Sequence, residues 1–187
     1  MSNHHTIRTG IIFGTDTGNT EDIANRISEQ LKQYDIASDI HNISDTSPEQ
    51  FSHYDLLILG IPTWDFGGIQ GDWDDFEGAL QPLDLSRQVI ALYGLGDQFG
   101  YGDYFVDAMG WLYNHLKHSG AQFIGYWPTM GYEFDASLAT LEDGRLFCGL
   151  AIDEDQQFEL TDERVNRWVS QIVSEYRQWA DDMAEAG

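Results

Sequence analysis

The chain has 187 residues, of which 42% are hydrophobic and 13% aromatic. This composition is typical of a folded protein with a sizeable core and excludes an intrinsically disordered chain. Nine Lys and Arg residues stand against 32 Asp and Glu residues, which gives a formal net charge of −23. Because nucleic acid and anionic membranes would repel such a chain, we expect neither as a partner, whereas a basic protein would be attracted to it.

The first predicted elements are a strand, a hydroxyl-rich loop and a helix. The apolar residues 11–13 predict a short buried strand, and residues 14–20 hold two glycines, three threonines, an Asp and an Asn. Apolar residues then recur at helical spacing: Ile23, Ala24, Ile27 and Leu31. Since a helix N-terminus carries free amide groups and a partial positive charge, this order of elements favours an anion site, above all one for phosphate.

The residues of this loop narrow the class of ligand. A nucleoside-triphosphate loop ends in Gly-Lys-Ser/Thr, but here Asn19 follows Gly18 and the nearest lysine is Lys32. The dinucleotide pattern G-x-G-x-x-G is also missing from the sequence. We therefore predict a single phosphate held by amides and hydroxyls without a cation. A strand–turn–helix connection that binds nothing is the alternative. The candidate residues are Thr15, Asp16, Thr17, Gly18, Asn19 and Thr20.

The rest of the chain alternates strands and helices. Strands are predicted at 37–43, 54–60, 89–94 and 122–127, with a further strand-like piece at 146–152. A short helical turn is expected from 46–49, and helix faces at 73–80, 105–116 and 165–176, with Thr161 as the N-cap of the last helix. This alternation predicts an α/β fold, a parallel sheet with helices on both faces. No linker or repeat interrupts it, so we predict one domain over 1–187, with its core at about 7–179.

Ligands of such folds bind beyond the carboxyl ends of the strands. Three loops rich in glycine or hydroxyl groups, 15–20, 61–71 and 95–103, are predicted to meet there. Trp64 and Tyr101 stand among glycines in the second and third loops. We predict that they stack on the two faces of a flat ligand ring. The alternative is that both rings fold back onto the core. A phosphate and a flat ring together indicate a mononucleotide.

If the ring is a flavin, main-chain groups near Gly96, Asp97 and Tyr104 would contact its polar edge. Nearby carboxylates would disfavour a negatively charged reduced ring, which would make the cofactor a strong one-electron reductant. The carboxylates considered are Asp65, Asp97, Asp103 and Asp155.

Other chemistry finds little support in the sequence. The single cysteine, Cys148, has apolar neighbours and is predicted to be a buried thiol. A chain with one cysteine cannot form an internal disulfide, which agrees with a reducing cytoplasm. No signal peptide or spanning segment is predicted, and His4-His5 is expected to be a loose tail. The other histidines show no metal spacing, and the acidic run 153–155 is expected to be a solvated turn rather than a metal cluster.

Taken together, these residues resemble the flavodoxins, specifically the long-chain bacterial type. T-D-T-G-N-T at 15–20, P-T-W at 62–64 and G-D-Q-F-G-Y at 96–101 are similar to the three FMN loops of that family. G-Y-W-P-T at 125–129 and G-L-A-I-D-E-D at 149–155 are further family stretches, and residues 128–146 form the insertion that marks the long-chain class. The runs L-G-I-P-T-W-D-F-G and A-L-Y-G-L-G-D-Q look closest to the second flavodoxin of enteric bacteria and their relatives.

The resemblance implies a three-layer flavodoxin-like fold with a five-stranded parallel sheet of order 2-1-3-4-5, its fifth strand interrupted by the insertion. It also implies non-covalent FMN between Trp64 and Tyr101, in a monomer that is an electron carrier rather than an enzyme. Low-potential electrons would pass from a basic NADPH-dependent reductase to acceptor redox enzymes. Gly67-Gly68 departs from the acidic residue common in this loop. The implied FMN contacts are Thr15, Asp16, Thr17, Gly18, Asn19, Thr20, Pro62, Thr63, Trp64, Asp65, Gly94, Leu95, Gly96, Asp97, Tyr101, Tyr104 and Asp155.

Two other functions remain open at this point. A flavodoxin-fold NAD(P)H-dependent quinone reductase would need an open face above the ring, which Trp64 and Tyr101 would cover. A phospho-receiver module would need an acidic pair after the first strand, an Asp after the third and a Lys after the fifth. The predicted strands end instead in Phe13-Gly14, Leu59-Gly60 and Tyr126-Trp127.

Overall fold

A parallel sheet lies at the centre of the structure, a computed structural model that describes residues 6–141 and 143–187. The strands are β1 (Thr9–Phe13), β2 (Ser38–Asn42), β3 (Leu56–Trp64), β4 (Gly68–Ile69), β5 (Val89–Leu95), β6 (Gln122–Ile124), β7 (Trp127–Pro128), β8 (Leu146–Phe147) and β9 (Leu150–Ile152). The parallel order is β2-β1-β3-β5, and both β6 and β9 pair with β5. The predicted order 2-1-3-4-5 with an interrupted fifth strand is therefore confirmed.

Four α-helices cover this sheet: α1 (Asn19–Lys32), α2 (Gly71–Leu80), α3 (Asp107–Leu116) and α4 (Thr161–Ala186). Helix α1 packs against α4, and α2 packs against α3, so that both faces of the sheet are covered. Strands β1 and β5 are buried along their whole length, as expected of apolar strands between two helical layers. Cys148 lies in this core, as predicted. Across the described residues, no helix combines the length and apolar character that a membrane crossing requires.

The predicted loop 61–71 is wrong in its first half. Strand β3 continues to Trp64, because Ile61 and Pro62 pair with the end of β5. The chain then turns through Asp65, at φ 42°, and Gly67, at φ 85°, into the antiparallel strand β4. Trp64 is therefore held at the tip of a sheet strand rather than in a free loop.

The strands predicted at 122–127 and 146–152 are each divided in two. Strand β6 ends at Ile124, because Gly125 takes a left-handed conformation (φ 81°) and its carbonyl accepts a hydrogen bond from Trp168 Nε1 at 2.9 Å. Strand β7 then leaves the main sheet and pairs antiparallel with β8. The insertion thus carries a small sheet of its own, and β9 returns to the edge of β5 beside the site.

Two predicted helix starts also need correction. Phe105 is buried but precedes α3, which begins after Val106 in a left-handed conformation (φ 48°). Thr161 does not cap α4, because a 3-10 helix at Phe158–Leu160 runs directly into it and leaves no extended N-cap position. The turn expected from 46–49 is confirmed as a 3-10 helix, Pro48–His53, with a Ser47–Gln50 capping box. The tail assigned to His4-His5 lies outside the described residues.

Candidate functional site

A cavity of about 280 Å³ lies at the carboxyl ends of the central strands. It is surrounded by the three predicted loops and by the turn that follows β9. The lining residues are Thr15, Asp16, Thr17, Asn19, Thr20, Pro62, Thr63, Trp64, Asp65, Leu95, Gly96, Asp97, Tyr101, Glu154 and Asp155. Every one of these except Glu154 is among the site residues predicted from the sequence, so the fold brings together residues that lie up to 140 positions apart.

Three of the sequence-derived candidates lie beside the cavity without lining it. Gly18 shapes the first loop with its left-handed backbone (φ 93°). Gly94 is buried where α3 approaches β5, and a Cβ there would lie 2.9 Å from the Cβ of Met109. Tyr104 packs edge-on against Phe66, with ring centroids 5.8 Å apart. These three residues therefore shape the surroundings of the cavity but do not form its wall.

The first loop ends in an uncapped helix. Helix α1 begins directly after Gly18, and no side chain in the described part of the chain makes a capping hydrogen bond to it. Its first intrahelical bond runs from Asp22 N to the Gly18 carbonyl at 3.0 Å, so the preceding amides of residues 19–21 have no carbonyl in the helix to bond. The Thr15 hydroxyl accepts from Gly18 N at 2.9 Å and stabilises the turn. This end of the cavity is thus an array of free N–H donors with a partial positive charge.

Two aromatic rings reach the cavity from separate loops. Trp64 is half-buried, and its Nε1 donor is buried with no hydrogen-bond partner among the residues described. Tyr101 is 37% exposed, and Phe66 packs edge-on against it at 5.8 Å. The neighbouring Asp65 carboxylate raises the pKa of the Tyr101 hydroxyl. The ring is therefore fixed from the side of β3.

The remaining wall of the cavity is acidic. Asp16, Asp65, Asp97, Glu154 and Asp155 line it, and none of the lining residues is Lys or Arg. Burial, followed by the negative charges of Asp97 and Asp153, raises the pKa of Asp155. A ligand group that gains negative charge in this cavity would meet the same repulsion.

The third loop and the β9 turn are joined through a buried carboxylate. Asp153 is completely buried and accepts hydrogen bonds from Gln98 N at 2.9 Å and Gln98 Nε2 at 2.8 Å. It also accepts from the main-chain amides of Asp155 at 3.1 Å and Gln156 at 2.9 Å. The solvated turn expected at 153–155 is therefore wrong for Asp153, whose burial is compensated by four N–H donors.

Glu154 is the lining residue that the sequence reading missed. It lies inside the same acidic run, and nothing in the local pattern distinguishes it from its neighbours. Its Oε1 is buried without a hydrogen-bond partner among the described residues, 4.0 Å from Arg26 Nη1 on α1. Within residues 6–141 and 143–187, no group of three His, Cys, Asp or Glu side chains is arranged to hold a metal ion.

The sequence pattern of the flavodoxin family, described as "Flavodoxin", matches residues 11–168 of this chain. The chain belongs to the flavodoxin family. Flavodoxin 1 of Escherichia coli K12 is 51% identical over 167 residues, which cover 89% of this chain and 93% of that protein. Flavodoxin 2 of the same organism is 47% identical over 166 residues, which cover 89% and 95%. Both relatives are flavodoxins of enteric bacteria, as the resemblance implied, and their similar identities do not single out the second form.

The fold of this flavodoxin is shared by solved relatives. A crystal structure of Fusobacterium nucleatum flavodoxin bound to flavin mononucleotide superimposes with a TM-score of 0.83 at 30% identity, covering 90% of this chain and 98% of that one. Flavodoxins are electron-transfer flavoproteins rather than catalytic enzymes, and they act as redox partners of reductases and acceptor enzymes. The prediction of an electron carrier rather than an enzyme is confirmed at the level of the family.

Proposed function

We propose that this flavodoxin binds FMN non-covalently in the cavity and carries single electrons at low potential. The observation that supports this most directly is the meeting of three features at one cavity: free helix amides, two aromatic rings and an acidic wall. The Fusobacterium nucleatum flavodoxin, 30% identical to this chain, is bound to flavin mononucleotide in its crystal structure.

The first loop fits the phosphate of FMN. The amides of residues 19–21 and the hydroxyls of Thr15 and Thr17 would bind its oxygens, with no cation in the wall. The orphaned Nε1 donor of Trp64 supports the fit, because a buried N–H without an acceptor is unfavourable and a ligand oxygen would satisfy it. Thr63 plays a structural part, since its hydroxyl accepts from Ala108 N at 3.0 Å.

Trp64 and Tyr101 would stack on the ring, and the main chain of residues 95–97 would contact its polar edge. Bound FMN supplies reversible one-electron chemistry. The five lining carboxylates oppose added negative charge in the cavity, and the rings exclude water from it. Together these residues would destabilise the fully reduced FMN, which would therefore be a strong one-electron reductant.

We propose a basic NADPH-dependent reductase as electron donor and redox enzymes with basic surfaces as acceptors. The net charge of −23 would attract both over distances of about a Debye length. We also propose that the carrier works as a monomer in the cytoplasm, where its one cysteine, free and buried in this structure, would stay reduced.

An anaerobic reductive titration of the purified protein tests the proposal. A carrier is expected to show the yellow colour of FMN and two well-separated one-electron steps, the second at much lower potential. Direct two-electron reduction followed by rapid oxidation by quinones would point instead to a quinone reductase. A colourless protein that takes up no added FMN would refute both functions.

The phosphate assignment has its own test. Thr15→Ala and Thr17→Val should weaken binding of FMN to the apoprotein but leave riboflavin, which lacks the phosphate, almost unaffected. Equal losses for the two flavins would show that the first loop does not hold the phosphate.

A further inference from the structure

A buried tyrosine lies directly beneath the first loop. Tyr93 of β5 is completely buried, and its hydroxyl donates to the main-chain carbonyl of Thr20 at 2.9 Å. A peptide unit is planar, so the carbonyl of Thr20 and the amide of Glu21 turn together. The Glu21 amide is the last of the free donors at the start of α1. The Tyr93 bond therefore fixes the direction of one of the free amides at the N-terminus of α1, directly after Thr20, which lines the cavity.

A buried glutamine supports the other end of the same loop. Gln70 is 1% exposed, and its Nε2 donates to Asp16 Oδ1 at 3.1 Å and to Asp72 Oδ2 at 2.9 Å. Its Oε1 accepts from Trp73 N at 3.2 Å, which anchors the amide group to the first turn of α2. Because all of these contacts involve one rigid amide plane, the Asp16 side chain is tied to α2 rather than free to move into the cavity.

Two glycines make room for these side chains. A Cβ at Gly60 would overlap the ring of Tyr93, and a Cβ at Gly14 would overlap Gln70 Oε1. The two glycines are also bonded to each other, from Gly14 N to the Gly60 carbonyl at 3.2 Å. Gly14, just after β1, and Gly60, in the middle of β3, thus leave space in which Gln70 and Tyr93 reach the first loop.

We propose that Tyr93 and Gln70 are positioning residues that hold the first loop in its phosphate-binding shape before the ligand arrives. The proposal rests on the proposed function, since it assigns the origin of selectivity for FMN over riboflavin. Neither side chain lines the cavity, so Tyr93 acts through the main-chain carbonyl of Thr20 and Gln70 through the side chain of Asp16. A loop that is already ordered loses less conformational entropy on binding, which strengthens the phosphate contact alone.

The test is titration of the apoprotein with FMN and with riboflavin, followed by quenching of flavin fluorescence. Tyr93→Phe and Gln70→Met remove the bonds, and Tyr54→Phe and Gln88→Met are matched controls. Tyr54 and Gln88 are also buried and bonded, but they precede β3 and β5 at the opposite edge of the sheet. Each loop variant should weaken FMN binding by about three- to tenfold, the loss expected for the one hydrogen bond that each side chain makes to the loop. Riboflavin should change less than twofold, and the controls should change neither.

Riboflavin binding also reports that each variant is folded with its aromatic rings in place. The Asp22 amide follows Glu21 and donates to the Gly18 carbonyl at 3.0 Å, so its hydrogen exchange in the apoprotein should be faster in Tyr93→Phe than in Tyr54→Phe. If a variant lost equal affinity for FMN and riboflavin, or bound FMN as tightly as the controls do, Tyr93 and Gln70 would not be positioning residues of the first loop. A wild-type apoprotein that takes up neither flavin would refute the proposed function, and this role with it.

Discussion

Replacement of the buried carboxylate Asp153 by asparagine should destabilise the protein strongly. Its Oδ2 accepts from two donors of Gln98, and its Oδ1 accepts from the amides of Asp155 and Gln156. An asparagine has one acceptor oxygen, and its NH2 group would face the other pair of donors. In either orientation, two buried N–H groups lose their acceptor.

The expected size follows from those two bonds. Hydrogen bonds to a charged group contribute about 1.5–3 kcal/mol each, so their loss costs about 3–6 kcal/mol. Asparagine avoids the burial of a charge, which offsets part of this cost. We therefore expect the free energy of unfolding to fall by about 3 kcal/mol, a large fraction of the roughly 5–15 kcal/mol typical of a whole domain.

Urea unfolding of the apoprotein, followed by far-UV circular dichroism, measures this change. Asp143→Asn is the matched control, because Asp143 is exposed and contacts Arg145 in a surface ion pair, which typically contributes below about 1 kcal/mol. A loss below about 1 kcal/mol for Asp153→Asn, with an unchanged slope against urea, would refute the reasoning that four donors depend on this carboxylate. FMN affinity should fall as well, since Gln98 belongs to the third loop.

Three further outcomes are expected. Trp64→Ala and Tyr101→Ala should each weaken FMN binding by about tenfold or more and raise the second reduction potential, as fluorescence titration and potentiometry would show; unchanged values in both variants would exclude these rings as the stacking pair. Electron transfer from a basic reductase should slow as sodium chloride rises from about 50 to 500 mM in stopped-flow measurements, whereas a flat response would remove the steering argument. Burial raises the pKa of Asp107, so the folded state binds its proton more tightly than the unfolded state does. The free energy of unfolding should therefore fall as pH rises from about 4 through the raised pKa. Urea unfolding at a series of pH values would measure this fall, and Asp107→Asn should abolish it.

Local sequence determined the parts of the site that depend on neighbouring residues. Residues 9–32 contain the whole strand–loop–helix unit, since apolar spacing sets the two elements and Gly18 allows the left-handed turn between them. Local sequence was also sufficient to predict the aromatic contacts of the second and third loops, because Trp64 and Tyr101 stand among glycines. Their meeting at one edge follows from the parallel alternation of strands and helices.

Tertiary structure alone decided the contacts made between distant segments. Asp153 and Glu154 are adjacent and both acidic, yet one binds four N–H donors inside the protein and the other lines the cavity. In the sequence, Tyr93 is an ordinary core residue and Gln70 an ordinary loop residue. Only the structure shows that they pack against Gly60 and Gly14 beneath the first loop. The division of the strand predicted at 122–127 likewise depends on α4, some 40 residues later. Periodicity records which face of an element is buried, but the partner of a buried polar group lies far along the chain and is fixed only when the elements pack together.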